Sequence, residues 1–329
     1  CDFERNHSIT FFIKDTIKHL DKKKFRINLF SFAKENIKDE SQNDLKHLSD
    51  EWSNLSQFDN QKAVNLIQEK KIDILFDVMG FTNPNRLEIF NSRVAPTQIS
   101  WLAYCNTIGF ETIDYMMIDK NLVIEDEEKF YLEKVIRLPK VWNSHAGFNL
   151  KRKYNKLPSE KNEIFTLGSF NNFRKISPET VDTWSSILQS VSNSRLILKS
   201  SNFCDVNSLL NKFKKHGIEN KVTILDKVNF HKKKNHLELY NKVDLALDTF
   251  PYNGVTTTFE ALWMNVPVLV LNGYNFNSRC GESIIKNTKI NYLIASNTKE
   301  YIQKAIYLSQ NKNKLIKRRK ELFDQVLST

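Results

Sequence analysis

The stretch VDLALDTFPYNGVTTTFEALWMNVPVLVL, Val243 to Leu271, decides the fold. Val243 to Phe250 (VDLALDTF) reads as a buried strand, Thr257 to Met264 as a helix, and Pro267 to Leu271 (PVLVL) as a second strand. Strand, loop, helix and strand in that order make a βαβ unit, which calls for a parallel sheet. The loop between the first strand and the helix, PYNGVTTT, is rich in small and hydroxyl-bearing residues that a core segment does not need.

The same alternation extends outward in both directions. Ile164 to Phe170 reads as a strand, followed by Ser177-Pro178-Glu179, a helix start with serine as the cap and proline in the first turn. Arg195 to Lys199 and Lys221 to Leu225 are further strands, with helices at Val206 to Lys215 and His236 to Tyr240. This half has the pattern of a doubly wound domain, closed by two surface helices, Thr298 to Leu308 and Asn313 to Leu327.

The first half repeats the theme, with helices at Ser8 to Leu20, Asn60 to Glu69 and Arg86 to Phe90. Its strands are Phe25 to Phe32, Ile72 to Val78, Gln98 to Ala103 and Tyr115 to Ile118. From Leu138 to Asn162 the chain loses all periodicity and gathers Pro, Asn, Gly and Lys, the signature of an interdomain linker. The expected organisation is therefore α/β with parallel sheets in two domains, residues 1–150 and 151–329, the second of them doubly wound.

Composition bounds the function class. A chain of 329 residues with 40% hydrophobic content is globular, and it holds no apolar run long enough to span a membrane. Four cysteines, Cys1, Cys105, Cys204 and Cys280, form no CxxC pair, so reduced thiols in a cytoplasmic protein are expected. The net charge of +11 is carried by lysines scattered at helix-like spacing, as in KDTIKHLDKKKFR and NKLIKRRK. That describes a solvated surface, and with no RRM or KH signature no nucleic-acid partner is expected.

In a doubly wound sheet, ligands bind beyond the carboxyl ends of the strands, so the loops after Val78, Phe170, Lys199 and Phe250 are the ones to inspect. Gly254 lets backbone approach a ligand, and Thr256 and Thr257 open a helix whose N–H groups and dipole favour an anion. On this loop alone a second account stands equally well, a Thr257-x-x-Glu260 capping box that needs no ligand. Lys175, two residues before the Ser177 cap, can set a point charge on a phosphate or be a solvated loop lysine beside Arg174. Asn171 and Asn172 suit turn backbone, and His236 and His7 taken singly are packing or cap-neighbour histidines.

Zinc-protease, nucleophile-elbow, P-loop and dinucleotide fingerprints are absent from the sequence, as is any Asp-x-Asp clamp. No metal and no cofactor are expected, and phosphate charge would fall to lysine and helix ends.

Taken in order, DILFDVMGFT, RVAPTQISWLAYCNTIGFETIDY, LGSFNNFRKISP and LALDTFPYNGVTTTFEALWMNVPVLVL give a sequence that resembles the catalytic region of the protein O-GlcNAc transferase family, with its SPINDLY-type relatives. The resemblance covers nearly the whole chain. It implies a GT-B fold, two Rossmann-like domains facing a central cleft, with the nucleotide-sugar site in the second. The implied reaction is an inverting, metal-independent transfer of GlcNAc from UDP-GlcNAc to Ser or Thr of an acceptor protein. The alternative within the family is an O-fucosyltransferase using GDP-fucose, and a non-catalytic basic scaffold is the reading from another class.

The resemblance also assigns residues. Lys175 matches the lysine at the donor diphosphate, with Asn172 near it, and Thr256 and Thr257 after Gly254 match the threonines at the phosphates. His236 stands beside the base with Lys233 nearby, Glu260 holds the ribose, and His7 faces the cleft as a candidate base. The departures are one extra residue in DFERNH, Ala103-Tyr104-Cys105 where Gly-Tyr-Pro is usual, and Val255 and Leu239 where some relatives have histidine and arginine. By the same resemblance a first strand would precede Cys1 and a closing segment would follow Thr329.

Overall fold

The computed structural model describes residues 3, 7–36, 38–82, 85–148, 150–199, 205–225, 233–288 and 290–325, with the side chains of 233–235 and 325 outside that description. The chain divides into two compact units, Cys1–Phe148 and Asn149–Thr329.

Unit 1 runs α1 (Ser8–His19), β1 (Asn28–Ser31), α2 (Glu40–Leu48), β2 (Glu51–Asn54), α3 (Asn60–Glu69), β3 (Ile74–Asp77), α4 (Glu88–Asn91), β4 (Thr97–Ser100), β5 (Tyr115–Asp119) and β6 (Lys134–Leu138). All pairings are parallel: β1 with β2, and β3-β4-β5-β6 as a second sheet. In α1, Ile9, Phe12, Ile13 and Ile17 recur at helical spacing and are all buried. Ala63, Val64 and Ile67 of α3 pack with Leu75 of β3 and Ile89 of α4 in one core, each large aliphatic contributing about 1.5–3 kcal/mol of burial.

Unit 2 runs α5 (Ser159–Asn162), β7 (Phe165–Ser169), α6 (Pro178–Ser190), β8 (Ser194–Lys199), α7 (Val206–Lys214), β9 (Val222–Leu225), α8 (Lys233–Glu238), β10 (Leu245–Leu247), α9 (Thr256–Trp263), β11 (Val268–Leu271), α10 (Phe276–Asn287), β12 (Ile294–Ala295), α11 (Thr298–Gln310) and α12 (Lys312–Gln325). The sheet order is β12-β11-β10-β7-β8-β9. The chain thus builds outward from β7 to β9, returns, and builds outward again from β10. The direction of winding reverses between β7 and β10, the point where a doubly wound sheet opens a crevice.

The strand expected over Val243 to Phe250 is only Leu245–Leu247, bounded by two buried aspartates. Asp244 accepts the Thr166 and Ser159 amides at 2.8 and 3.1 Å, and Asp248 accepts the Thr249 and Gly254 amides at 2.9 and 2.8 Å. The aperiodic stretch from Leu138 to Asn162 is packed rather than free. Trp142 is fully buried, its amide donates to Asp119 at 3.0 Å, and its carbonyl accepts the Trp101 indole at 2.8 Å. Further on, Arg152 donates to the carbonyls of Trp263, Phe323 and Leu322 and to Asn265 Oδ1, clamping the end of α9 to α12. Among the described residues no helix is long and apolar enough to cross a membrane.

Candidate functional site

Two loops meet beyond the carboxyl ends of β7 and β10. The first leaves β7 at Phe170 and forms a single 3-10 turn, Phe173–Lys175, before α6. The second leaves β10 at Asp248 and ends where α9 begins at Thr256. Ser177 caps α6 by accepting the Thr180 amide at 3.0 Å, while the Ser177 and Thr180 hydroxyls lie 2.8 and 2.7 Å from the Phe250 carbonyl, the acceptor they share. The cap that starts α6 therefore also ties the first loop to the second.

Lys175 crosses the junction. Its Nζ donates to the Asn253 carbonyl at 2.7 Å and lies 4.1 Å from the centre of the Tyr252 ring. Below it, Asn171 is buried, donating to Asp248 Oδ1 at 3.3 Å and accepting from Thr257 Oγ1 at 2.8 Å. Gly254 passes so close that a Cβ there would lie 2.3 Å from Thr257 Oγ1, 2.6 Å from Asn171 Oδ1 and 3.0 Å from Asp248 Oδ1. Any side chain at Gly254 would push the polar groups apart.

Asp248 is the centre of this packing. Burial drives its carboxyl up to about 7 against the pull of the Gly254 amide and the Lys175 charge, and among the described residues Oδ2 has no hydrogen-bond partner. The result is a carboxylate that fixes the loops from beneath.

The capping box that the sequence allowed at Thr257 and Glu260, as the alternative to an anion site, is not formed. Helix α9 starts one residue earlier, at Thr256, with Val255 as a cap that has no side-chain acceptor. The Thr258 and Phe259 amides turn to the Val255 carbonyl, so the first turn of α9 presents Thr256 and Thr257 without a side-chain cap. Thr257 reaches Asn171 instead, and Glu260 faces inward. A cation and an uncapped helix start within one junction suit an anion.

On the far side of the same loops, four side chains are joined. Lys199 Nζ at the end of β8 contacts His236 Nδ1 at 3.0 Å, and His236 Nε2 contacts Glu260 Oε2 at 2.8 Å. The Tyr240 hydroxyl is 3.3 Å from Glu260 Oε2 and 3.1 Å from the Thr257 carbonyl. Burial lowers the Lys199 ammonium from its ordinary value, opposed by the Glu260 charge. Burial, then Glu260, pushes the Tyr240 phenol well above its usual range.

The structure thus gathers Lys175, Gly254, Thr256 and Thr257 at one junction and His236 with Glu260 beside it. Asn172 is not among them: it is exposed, and its side chain accepts the Arg174 amide at 3.0 Å as the cap of the 3-10 turn. Its neighbour Asn171 takes the buried place. Both are turn asparagines in sequence, and only the one nearer the strand points inward. Lys233 opens α8, and its side chain lies outside the described residues. His7 belongs to unit 1, where it is itself the cap of α1, Nδ1 accepting the Ile9 amide at 3.4 Å. Lys199, Tyr240 and Asp248 are the members that sequence reasoning did not pick out. A lysine ending a strand and an aspartate starting a turn carry no motif. Among the described residues, no group of three or more His, Cys, Asp and Glu side chains is placed to hold a metal ion.

Comparison with known proteins places these observations. The glycosyl transferase family 41 model matches residues 1–147 and 148–329. The chain is 32% identical over 325 residues to "Probable UDP-N-acetylglucosamine--peptide N-acetylglucosaminyltransferase SPINDLY" of Arabidopsis thaliana, covering 97% of this chain and 35% of that protein. It is 30% identical over 293 residues to SEC of the same plant, named for the same transfer, covering 85% of this chain and 29% of SEC. The chain thus spans about a third of the length of the curated relatives it matches. Among solved structures it is similar to a mutant of Thermobaculum terrenum O-GlcNAc transferase, with a TM-score of 0.91 and 28% identity over 98% of this chain and 61% of that one.

Proposed function

Because the chain belongs to glycosyl transferase family 41, we propose that it carries the sugar-transfer region of a protein O-GlcNAc transferase, moving GlcNAc from UDP-GlcNAc to serine or threonine hydroxyls of an acceptor protein. Its parallel α/β architecture is that of GT-B glycosyltransferases. The observation that carries the proposal is the junction at the winding reversal, where Lys175 and the start of α9 meet over Gly254.

In the proposed reaction the acceptor oxygen attacks the anomeric carbon from the face opposite the phosphate, giving inversion. The carbon–oxygen bond to the diphosphate breaks, and the nucleoside diphosphate leaves with the electron pair. Charge builds on the leaving phosphate, and Lys175 Nζ with the Thr256 and Thr257 amides is the chain's own means of meeting it without a metal. Donors fixed before the reaction need not reorganise as that charge appears.

The acceptor hydroxyl gives up a proton, and His7 is the candidate base in unit 1. Its Nδ1 lone pair is engaged with the Ile9 amide, but at 3.4 Å that bond is long and weak, so releasing it costs little. A cytoplasmic setting completes the proposal.

The test is to incubate the protein with UDP-GlcNAc, UDP-glucose or GDP-fucose and a Ser/Thr-containing acceptor, following sugar transfer and nucleotide release. Transfer from UDP-GlcNAc is the expected result. Transfer from GDP-fucose alone would replace the proposal with O-fucosylation. Failure with all three, alongside salt-sensitive RNA binding that survives Lys175→Ala, would replace it with a binding function.

A further inference from the structure

We propose that Lys199 is a positioning residue for the nucleoside end of the donor, holding His236 in the tautomer that donates to Glu260; this rests on the donor site proposed above. The hydrogen-bond chemistry leaves little choice. A carboxylate only accepts, so at 2.8 Å from Glu260 Oε2 the His236 Nε2 carries a proton and donates it. An ammonium only donates, so at 3.0 Å from Lys199 Nζ the His236 Nδ1 accepts. Together the two contacts define a neutral ring with its proton on Nε2.

The members come from separate elements: Lys199 from the end of β8, His236 from α8, Tyr240 from the turn after it, and Glu260 from α9. The rings of Phe170 and Tyr240 lie 6.0 and 5.9 Å from His236, and Lys199 and Glu260 are the charged groups that face it among the described contacts. Such a series orients each member through its neighbour, and the loss of one end releases the rest.

Position along α9 connects the series to the donor. Glu260 lies three and four residues after Thr257 and Thr256, so it shares their helix face about one turn further on. A phosphate at the start of α9 would place the attached ribose beside Glu260, whose carboxylate suits ribose hydroxyls as donors. With Nδ1 held by Lys199, the ring stays neutral and Glu260 keeps its negative charge for that task. Without Lys199 the ring is free to take the other tautomer or a second proton, and Glu260 turns its charge to the ring.

The experiment combines ring 15N NMR with steady-state kinetics on the protein and on Lys199→Met and Lys199→Gln. The wild type should show His236 as a single neutral Nε2–H tautomer. Lys199→Met should lose that pattern and raise the donor KM about tenfold with kcat within about twofold, the size of one hydrogen bond to a charged group. Lys199→Gln, whose amide still donates to Nδ1, should keep the tautomer and most of the affinity.

An unchanged KM in Lys199→Met, a loss confined to kcat, or an Nδ1–H ring in the wild type would overturn the inference. Lys175→Ala separates the two levels. If it still cuts turnover while Lys199→Met leaves KM alone, only the role of Lys199 fails. If neither variant affects transfer, the donor site itself lies elsewhere.

Discussion

Asp77 at the end of β3 and Asp248 after β10 each turn a buried carboxylate back onto the backbone of the loop that follows. Asp77 accepts the Met79 amide at 3.0 Å and the Gly80 amide at 3.1 and 3.0 Å, engaging both oxygens within its own loop. Asp248 takes the Thr249 and Gly254 amides on Oδ1, accepts from Asn171 across the junction, and leaves Oδ2 without a hydrogen-bond partner among the described residues. Both carboxyls are raised by burial.

What surrounds them differs. The Asp77 loop packs Gly80 against Tyr104, with the Phe81 ring 5.3 Å from Tyr104 and 6.3 Å from Phe110. Around Asp248 stand Asn171, Thr257 and the Lys175 cation. One turn device ends in an aromatic cluster and serves the fold of unit 1. The other joins two strand-end loops and presents charge where phosphate chemistry can use it.

Lys175→Ala strikes at that difference with the largest expected effect. Loss of a pre-positioned group at a developing charge costs about 2.7–4 kcal/mol, so turnover should fall between about 10²- and 10³-fold. Stability should change by only about 1 kcal/mol, since Lys175 is a half-buried loop side chain whose Nζ donates to the Asn253 carbonyl at 2.7 Å. Initial rates and thermal melts check both, and near wild-type turnover would remove Lys175 from the chemistry.

The glycines come next. Gly80 has φ of 55°, and a Cβ there would lie 2.2 Å from Tyr104 Cβ, so Gly80→Ala should lose about 2–4 kcal/mol of stability. Gly254→Ala strains no left-handed backbone and should melt closer to the wild type, while raising donor KM about tenfold by displacing Thr257 and Asn171. Equal melting losses with unchanged KM would erase the distinction between the two loops.

Much of this was legible in the sequence because periodicity and caps are local. The alternation of strands and helices in unit 2, the Ser177-Pro178 start and the position of Lys175 follow from residue order alone. Helix α10 was missed because its apolar stripe, Phe276, Cys280, Ile284 and Ile285, is short and interleaved with Ser278, Arg279, Gly281, Glu282 and Ser283, which are just as buried. Strand β2 was missed because all four of its residues are half-buried and do not alternate. The Thr257-x-x-Glu260 pattern left two readings open in the sequence, and tertiary contacts decide between them: Glu260 gains His236 and Tyr240 as partners, and the helix begins a residue early.

Asp248 also sets a smaller, pH-dependent effect. Its carboxyl stands near 7 in the folded chain against 3.8 for the ordinary group, so between those values the folded state holds a proton that the unfolded state has released. Stability from this group is present below the lower value and is lost as pH rises through about 7, by at most about 1.4 kcal/mol per pH unit within the window. Asp248→Asn should flatten that decline in melts between about pH 4 and 7. An unaltered decline would place the titration in another group.

The smallest expected difference lies between adjacent asparagines. Asn171→Ala should raise donor KM severalfold because it unties Asp248 from Thr257, whereas Asn172→Ala loses a single turn cap worth about 0.5–1 kcal/mol and leaves KM near the wild type. The reverse order would return the donor contact to Asn172.

The central claim is that the junction of the β7 and β10 loops seats the donor diphosphate, and a crystal structure of the protein with UDP bound tests it most directly. The account predicts phosphate oxygens within hydrogen-bond distance of Lys175 Nζ and of the Thr256 and Thr257 amides, with the ribose beside Glu260. A bound UDP whose phosphates lie away from Lys175 and from the start of α9 would contradict it.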